Sequence, residues 1–452
     1  MTDGRRIAVV GGGITGLAAA QAIIERGAQV TLFEAEDRLG GVIRTTPFAG
    51  HPAVDEGADA FLARVPWAVD LARAVSLGDS LTSPATGKAA VWWNGLHDIP
   101  EGLLLGLPTD LIAMARSSLL SPRGKLRAAT EVFRRRSDPS VDSIGAYVRS
   151  RFGGEVHERL VDPLIGSIYA ADTDDFSLAA IPQLAELAAR SRSALLARSR
   201  RPAAPAGPLF YAPTAGMGAL VEAVAAAITA AGGEIRSNTA VSELAPDGAR
   251  WRIDGEEFAG IVLACPARVA AALVAGIEPS VASTLAAIPT AGVALLTLAM
   301  PIGPWPARLR GLSGYLVPKP KQRLVTAVSF ASQKWAHWAG PDHVVLRVSL
   351  GRDGLPALHL SDDDLLADVR LALDKHLGVA AAPSAVRVSR WPNAFPQYRP
   401  HHGAAIAAAE QLLPRGIVLA GASYHGIGIP ACIRSGRQAA TLLLQRQLPL
   451  AD

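Results

Sequence analysis

The run RIAVVGGGITGLAAAQAIIERGAQVTLFEA, residues 6–35, restricts the fold more than any other part of the chain. A short apolar run enters a glycine turn. The next stretch has helical apolar spacing up to Gly27, and QVTLFEA then reads as a second strand. This is the opening of a βαβ unit in which Gly11, Gly13 and Gly16 fit GxGxxG. The first glycine permits the turn, the second lets backbone approach a pyrophosphate, and the third allows close helix packing. Glu34, at the end of the second strand, is placed to accept hydrogen bonds from an adenosine ribose, and its charge disfavours a 2′-phosphate.

Those features alone leave FAD and NAD unseparated. The next segment, EAEDRLGGVIRT, adds Arg38, Gly40, Gly41 and Arg44, which bring a second piece of backbone towards the phosphates and the ribitol side of a flavin. This arrangement resembles the extended fingerprint of the FAD-containing amine oxidase superfamily. DEGADAFLAR follows; in that superfamily it passes beside the flavin, although Asp55 and Glu56 taken alone read as solvated turn acids.

A chain of 452 residues with formal charge +4 accommodates two or three domains and carries no long basic tail, so nucleic-acid binding has little support. Cys265 and Cys432 lie too far apart in sequence for a CxxC pair, which fits a reducing cytoplasm and gives no metal signal. Arg5 and Arg6 precede glycines where an export signal would continue its apolar core. No apolar run is long enough for a membrane span; the nearest, Gly102 to Leu120, is broken by Pro108, Asp110 and Arg116.

In the middle of the chain, AAVWW and LHDI flank Asn94 and Gly95 as a hairpin with a two-residue turn. Lys88, just before it, is a candidate for a substrate carboxylate. From Pro108 to about Arg200 the pattern is helical, with starts at Ser121 and Ser177 and a solvated basic end at Arg134 to Arg136. Residues 197–208 are rich in breakers and mark a boundary loop. A long alanine-rich helix and further strands then return to the nucleotide-binding domain; Val241 reads as a strand residue there, and the resemblance to flavoproteins of that superfamily implies that its backbone faces the adenine. Alternating strands fill about 267–385. The acidic run Asp362 to Asp364 reads as the capped start of a helix, not as a metal cluster.

GIVLAGASYHGIGIPACIRSGRQAATLLL closes the chain as strand, loop and helix. Gly421, Gly426 and Gly428 let the loop approach a planar ligand, and Ile429 and Pro430 open a helix whose positive end faces a flavin. His425 lies in this loop without a nucleophile or paired carboxylate at a telling spacing. The two ends of the chain are therefore expected to hold one FAD.

VVGGGITGLAAA, EAEDRLGGVIRT, DEGADAFLAR, GLPTDL, PLIGSIYAAD, WPNAFPQYRPHH and GASYHGIGIPACIRSG together resemble the protoporphyrinogen and coproporphyrinogen oxidases of haem biosynthesis, especially the soluble Gram-positive-type coproporphyrinogen III oxidases. The resemblance runs almost end to end. Arg399, Pro400 and two histidines replace the usual VGH after PQY, with His402 at the expected histidine place, and DEGAD departs from the commoner form.

The resemblance implies an α/β and α+β protein: a discontinuous Rossmann-like FAD-binding domain (1–75, 201–266 and 386–452), a mixed-sheet substrate domain (76–107 and 267–385) and an inserted helical domain (108–200). It implies six-electron oxidation of coproporphyrinogen III in three flavin cycles, each using O2 and releasing hydrogen peroxide. Protoporphyrinogen IX is the competing substrate, and a flavin amine oxidase or carotenoid desaturase is the alternative enzyme. An apolar macrocycle needs a broad cavity wall, for which Ile168 and Tyr169 are candidates. Its propionates need cations, for which Arg64, Lys88 and Arg44 are candidates. A haem-pathway enzyme is a candidate contact; no oligomeric state and no catalytic base follow from the sequence.

Overall fold

The computed structural model describes residues 6–100, 103–134, 141–190, 192–197 and 207–446. Arg5, Arg135, Arg136 and most of the expected boundary loop, 198–206, lie outside the described residues.

Strand β1 (Arg6–Val10), helix α1 (Ile14–Ile24) and strand β2 (Gln29–Phe33) form the expected βαβ opening. The sheet they begin has five parallel strands, in the order Glu234–Arg236, β2, β1, Gly260–Leu263, Ile417–Leu419. Three sequence-distant stretches thus build one sheet. The strand order reverses direction at β1, the topological switch point where open α/β sheets bind ligands beyond their carboxyl ends. Ile7 and Val9 face α1, whose Leu17, Ala18 and Ile23 are fully buried, while Ala8 and Val10 face the opposite core. A parallel sheet covered on both faces requires such continuous apolar strands.

A seven-stranded sheet forms the second layer, ordered Ala385–Pro396, Thr290–Pro301, His343–Leu350, Val325–Phe330, Gly314–Leu316, Ala89–Trp92, Leu96–Asp98. Its pairs are antiparallel except that between Gly314–Leu316 and Ala89–Trp92. The helix Asp362–Leu377 covers this sheet with Leu365, Val369, Leu373 and Leu377, a four-residue spacing that keeps one face apolar. Its start is capped by Ser361, whose hydroxyl accepts from Asp364 N, with the acids in the first turn.

Two local expectations change. The strand Ala385–Pro396 pairs with Thr290 to Ala299 of the neighbouring strand, so the antiparallel sheet continues past the expected boundary at 385/386. Pairing of Trp92 with Leu96 leaves Trp93, Asn94 and Gly95 as a three-residue connection instead of two.

Among the described residues of 111–197, short helices share a core that includes Tyr147, Phe152, Ile165 and Phe176. One turn, His157–Val161, is a π-helix that leads directly into the helix Asp162–Tyr169. Asp162 accepts from Thr173 Oγ1 at 2.6 Å and lies 3.4 Å from Arg352 of the sheet layer, which also donates to Ala171 O. This buried pair fastens the helices to the sheet.

Candidate functional site

The two glycine-rich loops emerge from the same end of the parallel sheet. β1 runs into Gly11, whose φ of +109° and close approach to the Ala264 carbonyl oxygen leave no room for a side chain. Gly13 precedes α1 and bridges to Gly40, so the two N-terminal segments lie side by side. In front of Gly13 the space is open, with nothing within 4 Å of where a Cβ would stand, although Gly16 behind it is tightly packed. An α-helix start with open space before it suits an anionic group.

Glu34 is held at the end of β2 by backbone donors: Gly12 N–H reaches Oε2 at 2.6 Å and Glu36 N–H reaches Oε1 at 2.9 Å. Thr239 N donates to the Glu34 carbonyl at 2.8 Å, which brings the 238–241 segment alongside. Val241 is half-buried there, in a loop and not on the strand expected for it. Arg38 turns back on its own loop and donates to Ile43 O at 3.0 Å and Gly41 O at 2.5 Å, so it shapes the Gly40–Gly41 turn.

Arg44 lies 3.3 Å from Glu56 and is half-exposed. Asp55 and Glu56, expected in solvent, are both buried. The reason lies in partners distant in sequence. Asp55 accepts from Thr45 Oγ1 at 2.5 Å and from Met217 N at 2.8 Å, at the start of the helix Gly218–Ala230. Burial outweighs these bonds and pushes its carboxyl up to about 6. Burial pushes Glu56 up too, but hydroxyls of Thr46 and Ser389 with the charges of Arg387 and Arg44 hold it below the ordinary carboxylate range. Asp59 is gripped by Lys334 at 3.1 Å, Arg347 at 3.0 Å and Trp335 Nε1 at 3.0 Å; against the upward push of burial, these keep it ionised well below the usual range. The segment 55–59 is therefore clamped between the two layers.

At the C-terminal end, strand Ile417–Leu419 leads to Gly421, Gly426 and Gly428, with φ of +116°, +113° and +105°. The helix Ile429–Arg446 begins directly after them, with Ile429 and Pro430 buried in its first turn. Among the described residues no non-neighbouring atom lies within 4 Å of a Cβ position on Gly428, so this helix start also opens on space. His425 is paired with Glu410 at 2.8 Å. His402 stacks on Tyr398 with ring centres 4.0 Å apart, and burial lowers its imidazole to about 4, which keeps it neutral. Cys265 and Cys432 are free and buried, and burial pushes the Cys265 thiol up to about 12.

The substrate candidates are more scattered. Ile168 is 49% exposed at the end of the helix Asp162–Tyr169. Tyr169 stacks on Phe176, and its carbonyl accepts from Gln397. Arg64 is exposed in the turn after strand Phe61–Leu62. Lys88 lies 3.4 Å from Asp98, both well exposed. Sequence reasoning missed Tyr398, Asp59 and the burial of Asp55 and Glu56. The PQY segment signalled the first; Glu56 and Asp59 depend on Ser389, Lys334 and Trp335, each more than 200 positions away, and Asp55 on Met217, 162 positions away.

The facing glycine loops, open space before two helix starts and the backbone-held Glu34 fit an elongated dinucleotide such as FAD. The profile of the family described as flavin containing amine oxidoreductase matches residues 14–444. A coproporphyrinogen III oxidase of Bacillus subtilis (strain 168) is 30% identical, over 97% of this chain and 98% of that one. One from Mycobacterium leprae (strain TN) is 32% identical, over 96% of this chain and 97% of that one. A solved structure from Exiguobacterium sp. 255-15 has a TM-score of 0.86 at 30% identity, covering 98% of this chain and 99% of that chain. Cyclohexylamine oxidase from Brevibacterium oxydans IH-35A shares the fold at 16% identity, with a TM-score of 0.69 over 98% of this chain and 99% of that chain.

Proposed function

Because the chain belongs to the flavin containing amine oxidoreductase family, we propose that it binds FAD and oxidises coproporphyrinogen III to coproporphyrin III with O2, within haem biosynthesis. The observation that carries the FAD reading is the meeting of both glycine loops at one end of the parallel sheet, each opening on empty space at Gly13 and Gly428. Substrate choice is supported by relatives named coproporphyrinogen III oxidase that match nearly the whole chain.

In this reading the N–H groups at the start of α1, after Gly11, Gly13 and Gly16, take the pyrophosphate, Glu34 takes the ribose hydroxyls, and the 238–241 loop with Val241 faces the adenine. Arg38 fixes the Gly40–Gly41 turn, and Arg44 stands beside it. Gly421, Gly428, Ile429 and Pro430 border the ring side, where the positive end of an 18-residue helix favours negative charge. Bound FAD would supply the two-electron redox chemistry of each of three cycles, with three dioxygen molecules as the oxidant and three hydrogen peroxide molecules as the product. The chain's task is then to orient the macrocycle and exclude bulk water.

Ile168 and Tyr169 serve as apolar wall, and Arg64 and Lys88 as rim cations. Coproporphyrinogen has four propionates and protoporphyrinogen two, so rim cations favour the former. No side chain is assigned as a base: His425 is engaged by Glu410 and His402 is buried against Tyr398. The 1–75, 201–266 and C-terminal stretches act as the FAD-binding domain, 76–107 and 267–385 with the following edge strand as the substrate domain, and 108–200 as the helical domain. A reducing cytoplasm suits the two free cysteines. Among the described residues no helix is long and apolar enough to cross a membrane.

The test offers each porphyrinogen to FAD-loaded protein in air and follows porphyrin fluorescence and oxygen uptake. Coproporphyrinogen III should be consumed faster, with three O2 per porphyrin formed. Faster use of protoporphyrinogen IX would reassign the substrate. Absence of flavin-dependent turnover with both would remove the porphyrinogen reading.

A further inference from the structure

Tyr398 has no place in the cofactor fingerprint, yet its side chain lies under the C-terminal glycine loop. It is 5% exposed. Its ring is held between Phe176, parallel within 1° at 6.0 Å, and His402, at 4.0 Å and 11°. Its backbone is held as well, because Ser177 N donates to the Tyr398 carbonyl at 2.7 Å. A phenol fixed in this way projects its oxygen to one place.

That place is the inside of the loop bend. The Tyr398 hydroxyl donates to Ala422 O at 2.5 Å and accepts from Gly426 N at 2.8 Å. The two backbone groups stand on either arm of the bend, and one oxygen serves both because a phenol is donor and acceptor at once. The loop needs such a clamp. Gly421, Gly426 and Gly428 all have left-handed φ and give the unfolded chain the most freedom to lose. The loop has further ties, Gly421 N to Ser435 Oγ at 2.9 Å, Tyr424 N and His425 N to Gly421 O at 3.1 Å, His425 Nε2 to Glu410 at 2.8 Å and Arg434 Nη2 to His425 O at 3.0 Å, but none of these engages Ala422 O or Gly426 N. Burial raises the Tyr398 phenol well above its usual value, so it stays protonated and keeps its donor role.

We infer that Tyr398 is a positioning residue for the flavin: its hydroxyl fixes the curvature with which Gly421–Gly428 meets the ring system. This rests on the FAD reading above. The same residue touches Phe176, which stacks on Tyr169, so the helical region and the flavin loop share one rigid ring. Replacing Tyr398 with Phe keeps the stack and leaves Ala422 O and Gly426 N without their partner.

The experiment compares wild type, Tyr398→Phe and the remote core variant Phe330→Leu as full chains, stripped of flavin and titrated with FAD. Tyr398→Phe should bind FAD at least about fivefold more weakly and shift the near-ultraviolet band of the bound flavin. Phe330→Leu, fully buried in the separate core of the seven-stranded sheet, should lower Tm while leaving FAD affinity within about twofold and the band in place. Equal loosening by both variants would make the effect one of packing and overturn the inference. So would wild-type affinity and an unchanged spectrum in Tyr398→Phe. Amide exchange at Gly426 of the wild-type holoprotein provides a reading even where Tyr398→Phe does not fold. Protection supports the clamp, and exchange as fast as at the exposed Asn94 refutes it. Wild-type protein that takes up no FAD would instead defeat the functional reading on which the inference stands.

Discussion

Gly436 of the C-terminal helix lies so close to Thr15 of α1 that a methyl group on its α-carbon would run into the Thr15 carbonyl oxygen. The same threonine stands beside Gly421, where a built Cβ would be 3.3 Å from its hydroxyl oxygen. The two ends of the chain therefore meet at one residue, and helix-to-helix spacing sets the gap between the glycine loops. Gly436→Ala should force the helices apart and cost about 1–3 kcal/mol, with Gly436→Val worse. Both should carry less FAD per chain after gel filtration. Wild-type Tm and wild-type flavin content in both would show that the close approach is unnecessary.

Glu34 provides a second handle on the cofactor. Glu34→Ala removes the acceptor for Gly12 N and Glu36 N as well as the carboxylate proposed for the ribose. At about 1–3 kcal/mol for unpaired groups, FAD should bind roughly 10- to 100-fold more weakly. Titration calorimetry on flavin-free protein reads this directly, and an unchanged Kd would move the ribose elsewhere.

Asp55 gives the fold a pH dependence of definite sign. Its carboxyl rises from 3.8 to about 6 because burial disfavours the charge. The folded state then binds the proton more tightly than the unfolded chain. Stability from this group is fully present below pH 3.8 and is lost as pH rises through about 6. The shift corresponds to about 3 kcal/mol. In Asp55→Asn that loss should vanish, so the variant should gain about 3 kcal/mol relative to wild type between pH 4 and pH 7. Parallel urea-unfolding curves at the two pH values would contradict it.

Removing the rim cations should affect one substrate more than the other. Lys88 and Asp98 form an exposed pair, worth about 0–1 kcal/mol, so Lys88→Ala should leave Tm nearly unchanged. Combined with Arg64→Ala it should raise KM for coproporphyrinogen III more than for protoporphyrinogen IX. Equal changes for both substrates would reject these positions as the propionate rim.

The opening βαβ unit and the closing strand, loop and helix were legible because local physics specifies them: apolar periodicity, glycine at turns and proline in a helix's first turn. Placement of partners across the chain was not. Asp55 and Glu56 look like loop acids until Thr45, Met217, Ser389 and Arg387 converge on them. Val241 reads as a strand residue from its neighbours, but its segment instead bonds to Glu34 O through Thr239. The edge strand Ala385–Pro396 belongs with Thr290–Pro301, a pairing that composition at the boundary does not reveal. Tyr398 shows the same limit, since its role follows only from where Ala422 and Gly426 fold back over it.

A crystal structure of the holoprotein tests the central claim most directly. A single FAD is expected, with its pyrophosphate over Gly11–Gly16, its adenosine beside Glu34 and its ring system against Gly421–Gly428. A flavin bound away from that C-terminal loop, or none between the two glycine segments, would contradict it.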